Sequence, residues 1–352
     1  MYLEKNQIKS IQLDHTSRCN LLCPQCARTS DNGAVKSSVQ IKDLTVDDYK
    51  IILEPLSKNV KIMHCGNYGD VIASPTFDET LDWCISNGYN NIQILTNGSA
   101  RKPSWWADLA YKKVSVVFSV DGLAETNHIY RVNSVFKIIL ENMKAFINAG
   151  GIARWDYLVF NHNFYQLEDA KQLAKDIGIQ EFNIKYTSRF VNPHVSYNPS
   201  IINKNNIQVT DIKDNKNASS FNEIIQTYTD FSEYVKKTPI TCKYQELSRY
   251  YIDMEMRLWP CCWMGAPIYS NNSSDPQYRD LIKVYDKFGE NFNRLDIHGW
   301  DSIINSEYYQ SFLEGSWEID NPNRIFTCGR TCGDKYQFSS GYGSNQKIQK
   351  LN

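Results

Sequence analysis

No stretch of this chain is both long and apolar enough to cross a bilayer. The greasiest run, Val114 to Val120, falls far short of the roughly 20 residues a spanning helix needs. The opening MYLEKNQIKS is polar and carries no apolar signal core, which predicts a cytoplasmic protein with no membrane partner. Charge of one sign is lacking too. The 38 Lys and Arg nearly balance the 39 Asp and Glu, so there is no long-range pull toward phosphate backbones or anionic lipid, and the balance argues against a nucleic-acid partner. No internal repeat is found. What the chain does have is apolar residues, at 42%, enough for one large domain with an appendage.

It also has cysteine. Ten cysteines without a secretion signal point to metal ligands or free thiols, because reducing compartments keep thiols open. Cys19, Cys23 and Cys26 sit together near the N-terminus, and Cys242, Cys261, Cys262, Cys328 and Cys332 lie in the last third. Cys65 and Cys84 fall outside both groups and are expected to be buried as small apolar residues, while His15 and His64 are expected to be structural.

From Ile8 to about Tyr186, short β-branched runs alternate with amphipathic helical stretches, the pattern of βα units on a parallel sheet. Six strands are expected, at Ile8 to Asp14, Lys61 to His64, Asn91 to Thr96, Val114 to Val120, Trp155 to Phe160 and Phe182 to Tyr186. One helix is expected to start at Ser134 as N-cap and stop at Gly150 and Gly151, and another to run from about Tyr165. The fold class is therefore α/β, a partial (β/α)6 TIM-like barrel whose site lies at the strands' C-terminal ends. Residues 1–190 form this core. Residues 191–233, Asn-rich and aperiodic, read as a linker or surface loop; 234–335 read as a small cysteine-rich α+β domain; and 336–352 read as a polar, loose tail.

The run RCNLLCPQCAR sets three cysteines as C-x3-C-x2-C directly after the first strand. Three thiolates on one tight loop hold three corners of a 4Fe-4S cube and leave the fourth iron open to a ligand that is not protein. A structural zinc site is the competing reading, but closed zinc sites ask for four protein ligands.

Spacing and position resemble the radical S-adenosylmethionine superfamily. The resemblance implies that Cys19, Cys23 and Cys26 bind a 4Fe-4S cluster, with the amino and carboxylate groups of S-adenosyl-L-methionine at the open iron. It implies reductive cleavage to a 5'-deoxyadenosyl radical, fed by a flavodoxin- or ferredoxin-like electron donor. Further cofactor contacts follow by likeness: Gly66, Asn67, Gly69 and Asp70, where the family carries a Gly-Gly-Glu-Pro turn, then Asn97 in LTNGS, Ser119 and Asp121 in SVDG, and Arg131 toward the cofactor carboxylate. HCGNYGD departs from the family turn, so the residue that supplies a carboxylate there stays open.

In the last third, CKYQELSRYYIDMEMRLWPCC reads as a β-hairpin, and CGRTC as a glycine-rich turn. The region is similar to the twitch domain, the shortened form of the SPASM domain, which implies an auxiliary 4Fe-4S cluster on Cys242, Cys261, Cys328 and Cys332. Cys261 is preferred to Cys262 because adjacent side chains on a strand point to opposite faces. Zinc on the same four thiolates remains open. The substrate is expected to be a small molecule or a peptide. With few residues ahead of the first strand, no leader-binding domain is expected, which weighs against a peptide held in that way. The reading from another class is a non-enzymatic iron-sulfur or zinc protein for redox sensing or partner binding.

Overall fold

The computed structural model describes residues 2–187, 190–192, 196–197, 200–213, 215–334 and 346–351. Six parallel strands follow one another across a single open sheet: β1 (Ser10–Leu13), β2 (Lys61–His64), β3 (Ile92–Thr96), β4 (Ser115–Ser119), β5 (Ile152–Val159) and β6 (Glu181–Tyr186). All six expected strands are present, with ends shifted by a few residues. The largest shift is at β5, which starts at Ile152 rather than Trp155. Val116, Val117 and Phe118 in β4 are buried on both faces, as a parallel strand covered by helices requires.

The crossovers run through α1 (Val46–Leu53), α2 (Phe77–Ser86), α3 (Pro103–Tyr111), the short α4 (Asn127–Tyr130) with α5 (Phe136–Asn148), and α6 (Leu167–Asp176). Ser134 is not the cap of α5. Its hydroxyl accepts from Asn127 Nδ2 at 2.8 Å, and the helix begins after Val135 without a side-chain cap. Burial of Ile139, Met143 and Phe146 against the sheet holds that helix instead, with Phe118 and Phe146 rings 6.1 Å apart.

The C-terminal third builds onto the same sheet. β7 (Arg249–Ile252) pairs parallel with β1, placing Tyr251 opposite Gln12, and β8 (Leu258–Trp259) returns antiparallel on the outer edge. At the other edge β9 (Gln346–Lys350) pairs antiparallel with β6. This corrects the reading of the tail as loose over those residues; its stretch at 336–345 and residue 352 lie outside the described residues. The Asn-rich stretch is not bare loop either. It carries ribbon strands and a helix at Lys216–Thr227, followed by Phe231–Lys237, with Phe221, Ile224, Phe231, Tyr234 and Val235 packed together. CGRTC is not a turn but part of a helix, Phe326–Cys332. One core cluster runs from Ile11 and Ile62 through Trp155 to Trp259 and Trp300, so the barrel and the C-terminal region share an apolar interior. Among the described residues, no helix is long and apolar enough to cross a membrane.

Candidate functional site: two cysteine-lined cavities

A cavity of about 1000 Å³ opens at the C-terminal ends of the parallel strands. Cys19, Cys23 and Cys26, on the loop after β1, line it together with Gly66, Asn67, Gly69, Asp70, Asn97, Ser119, Asp121 and Arg131. Every cofactor contact expected from sequence thus faces one space, because successive βα loops emerge at the same end of a parallel sheet. Trp263, Pro267, Gln277 and Arg330 from the C-terminal third complete its wall.

The turn after β2 depends on its glycines for a steric reason. A Cβ on Gly66 would lie 2.1 Å from Asp14 Oδ1, and one on Gly69 would lie 2.0 Å from the Thr16 carbonyl. Asp70 is buried, and its carboxylate accepts from Asn97 N at 2.7 Å and Thr96 Oγ1 at 3.0 Å, so it ties the turn to the end of β3. Burial raises its pKa, opposed by those hydrogen bonds. Asn97 Nδ2 donates to Asn20 Oδ1 at 3.2 Å and reaches Cys19 Sγ at 3.7 Å. Arg131 Nε donates to Asp121 Oδ2 at 2.6 Å, while Asp121 Oδ1 takes the Leu158 amide at 2.8 Å. Burial works against the Arg131 charge, but Asp121 and Cys23 outweigh it and hold the guanidinium above its ordinary range.

Sequence reasoning missed the far wall of the cavity. Asp156, opposite Ser119 in the β4–β5 register, is buried between Arg154 Nε at 2.7 Å and Lys185 Nζ at 3.0 Å, with Asn183 Nδ2 also at 3.0 Å. Burial pushes its pKa up, but Lys185 and Arg154 pull it below the usual carboxylate range. Two charged residues, Arg154 and Asp156, inside the otherwise apolar run IARWDYLV were the available signal. Cys65 lines the same cavity rather than the core, whereas Cys84 is fully buried as expected. His15 and His64 are buried among Tyr49 and Phe77, with His64 stacked on Tyr49 and the other ring pairs edge-on.

The second cavity is narrow and apolar, and Cys242, Cys261, Cys328 and Cys332 all line it, with Trp263, Leu313 and Trp317. Cys328 and Cys332 reach it from one helix face, since residues four apart are neighbours on a helix. Tyr2 packs over this site, donating to the Pro260 carbonyl at 2.9 Å with its oxygen 3.4 Å from Cys242 Sγ. A hydrogen bond between Cys242 and Cys332 pulls the first thiol down and pushes the second up.

Both donor sets suit an iron-sulfur cube. Burial and the Asp70 carboxylate push Cys19 up to about 12, so a thiolate there calls for a cation in place of its proton. Among the described residues, no group of three or more His, Cys, Asp or Glu side chains is gathered closely enough to hold a single metal ion. A cube is larger and takes ligands spread around a cavity.

A three-cysteine loop above the first strand of an open βα barrel defines the class. The chain's three-cysteine loop and its fold are similar to those of the radical S-adenosylmethionine superfamily.

No family model matches the chain. The antilisterial bacteriocin subtilosin biosynthesis protein AlbA of Bacillus subtilis (strain 168) is 25% identical over 179 residues, which is 50% of this chain and 38% of AlbA. The fold is similar to that of SuiB of Streptococcus suis bound to precursor peptide SuiA, with TM-score 0.52 and 15% identity over 80% of this chain and 65% of SuiB. It is also similar to anSMEcpe with bound AdoMet, with TM-score 0.56 and 14% identity over 94% of this chain and 88% of that protein. The chain thus spans well under half of AlbA and just under two thirds of SuiB.

Proposed function

We propose that the chain is an S-adenosylmethionine-dependent enzyme acting on a peptide. The observation that carries this reading is the single cavity in which three loop cysteines face the glycine turn, Asn97, Ser119, Asp121 and Arg131. A 4Fe-4S cluster bound there supplies the electron that cleaves the cofactor to methionine and a 5'-deoxyadenosyl radical, which removes hydrogen from substrate. Cys19, Cys23 and Cys26 hold the cluster, and Arg131, itself oriented by Asp121, meets the cofactor carboxylate. The turn from Gly66 to Asp70 brings backbone close to the cofactor's amino group, and Asn97 and Ser119 meet its ribose or adenine. The cavity walls hold the reacting groups together and keep water out. A non-catalytic, closed metal site would have no use for a space of this size beside the triplet.

A peptide substrate is supported by the likeness to SuiB bound to precursor peptide and to anSMEcpe with bound AdoMet and Cp18Cys peptide. In this reading residues 1–190 are the catalytic core, and 234–335 supply a twitch-type auxiliary 4Fe-4S cluster on Cys242, Cys261, Cys328 and Cys332, for electron transfer or substrate binding. A flavodoxin- or ferredoxin-like protein supplies the electron. Anaerobically reconstituted protein given dithionite and S-adenosylmethionine should release 5'-deoxyadenosine. An intact, reducible cluster that yields none would overturn the proposal.

A further inference from the structure

The turn after β2 departs from the family's Gly-Gly-Glu-Pro pattern, and its Asn67 and Tyr68 side chains both lead to the C-terminal region. Asn67 Nδ2 donates to the Cys262 carbonyl at 3.0 Å and to Tyr251 Oη at 3.2 Å. Tyr68 donates its hydroxyl proton to the Ala266 carbonyl, and its ring meets Tyr269 edge-on at 5.0 Å. The backbone is fixed from the same direction. Asp14 Oδ2 accepts from the Asn67 amide at 2.9 Å and from the Tyr251 hydroxyl at 2.9 Å. Asp14 and Tyr251 are both buried, Tyr251 in β7 and Asp14 directly after its neighbour β1. The segment so joined begins at Cys261, whose thiol lines the second cavity. A covalent and hydrogen-bonded route between the two cysteine sites therefore runs through this turn, from Cys26 by way of Asn67 to Cys262 and Cys261.

We infer that Asp14 and Tyr251 are positioning residues of the Gly66–Asp70 turn, through which the placement of the Cys261–Ala266 segment sets the affinity for S-adenosylmethionine. The inference rests on the reading that this turn contacts the cofactor. It accounts for the identity of four residues at once. Gly66 leaves room for the Asp14 carboxylate, Asn67 bridges Tyr251 to the Cys262 carbonyl, Tyr68 holds Ala266, and Tyr251 closes the network. Neither Asp14 nor Tyr251 lines the large cavity, so each acts through the turn and not by touching the cofactor.

Two measurements test it. In protein without cofactor, Tyr251→Phe should speed hydrogen exchange of the Asn67 amide, since Asp14 loses one of the partners that fix its carboxylate. In reconstituted protein, the same change should weaken equilibrium binding of S-adenosylmethionine by roughly 10- to 150-fold, the worth of one buried hydrogen bond to a charged group. Iron and sulfide content should stay unchanged, as should turnover at saturating cofactor. Tyr68→Phe, which cuts the separate link to Ala266, should weaken binding in the same way, and it carries the test if Tyr251→Phe does not fold. Cys328→Ala, which removes an auxiliary thiol without touching the turn, should weaken cofactor binding in the native background and add little in the Tyr251→Phe background. Unchanged Asn67 exchange with unchanged cofactor affinity in Tyr251→Phe overturns the inference, as does a purely additive effect of Cys328→Ala. Failure of the reconstituted native protein to bind the cofactor would instead overturn the functional reading, and the exchange measurement would still decide the positioning role.

Discussion

Cys261 and Cys262 are adjacent in the chain yet serve different parts of the interior. Cys261 lines the narrow cavity with Cys242, Cys328 and Cys332, while Cys262 is buried outside it, where burial pushes its thiol up to about 11 against hydrogen bonds with Tyr244 and Gln12. Cys261→Ala should therefore lower the iron of reconstituted protein from about eight to about four per chain, while Cys262→Ala should leave it near eight. Iron and acid-labile sulfide analysis separates the two, and equal loss in both would reject this ligand assignment.

Loss of the first cluster should be total in its effect. Cys23→Ala is expected to abolish 5'-deoxyadenosine formation with about four irons retained at the second site. Residual formation above a cluster-free blank would show that the triplet is not what binds the reactive iron.

The Arg131–Asp121 pair is partly screened at Arg131 and fully buried at Asp121, with side-chain exposures of 20% and 1%. Arg131→Ala leaves a buried carboxylate without its cation, a change that costs about 3–5 kcal/mol in such settings. Urea unfolding should show that loss, with cofactor binding lost in parallel. Arg131→Lys should restore most of the stability but less of the binding, because an ammonium lacks the planar fork that matches a carboxylate.

Gly69→Ala forces a methyl group against the Thr16 carbonyl, a backbone atom that has no rotamer to move to. Destabilisation of about 1–3 kcal/mol is expected, together with weakened cofactor binding. Gly88→Ala serves as the control: its positive φ strains any side chain, but nothing lies within 4 Å, so cofactor binding should survive.

Acid should destabilise the fold through two histidines. Burial lowers His15 to about 4, against a small opposing pull from Asp43, and lowers His64 to about 3. The unfolded chain takes up these protons near pH 6.5 and the native state only near 4 and 3, so stability falls as the pH drops below about 6.5. Asp14 acts in the opposite sense. Burial pushes it up to about 7, so its contribution is complete below about pH 4 and is lost as the pH rises through 7. The buried Asp70, Asp253 and Asp280, also raised, act with Asp14, so the histidine part is read by difference, from the change in urea midpoint between pH 7 and pH 5. His64→Leu should flatten that dependence, and an unchanged slope would refute it.

The sequence by itself determined the six parallel strands, because a buried strand must be a short apolar run and each run stands between helical stretches. It also carried the three-cysteine spacing on which the proposed first cluster rests, since a loop eight residues long keeps its spacing in the chain itself. The helix over CGRTC was hidden from sequence reading by its glycine, which is tolerated there because Gly329 packs 2.6 Å, from its would-be Cβ, against the Val235 carbonyl. Asp14, Lys185 and Tyr251 were equally hidden. Their roles come from partners on other strands, which no local pattern encodes. Only the tertiary structure decided that β7 joins the barrel beside β1, that Cys65 faces the cavity while Cys262 turns away from its neighbour's site, and that the GNYGD turn is fastened to the cysteine segment 195 residues further along the chain. Periodicity and spacing are local properties that a chain carries unfolded, whereas a shared cavity exists only once distant strands have paired.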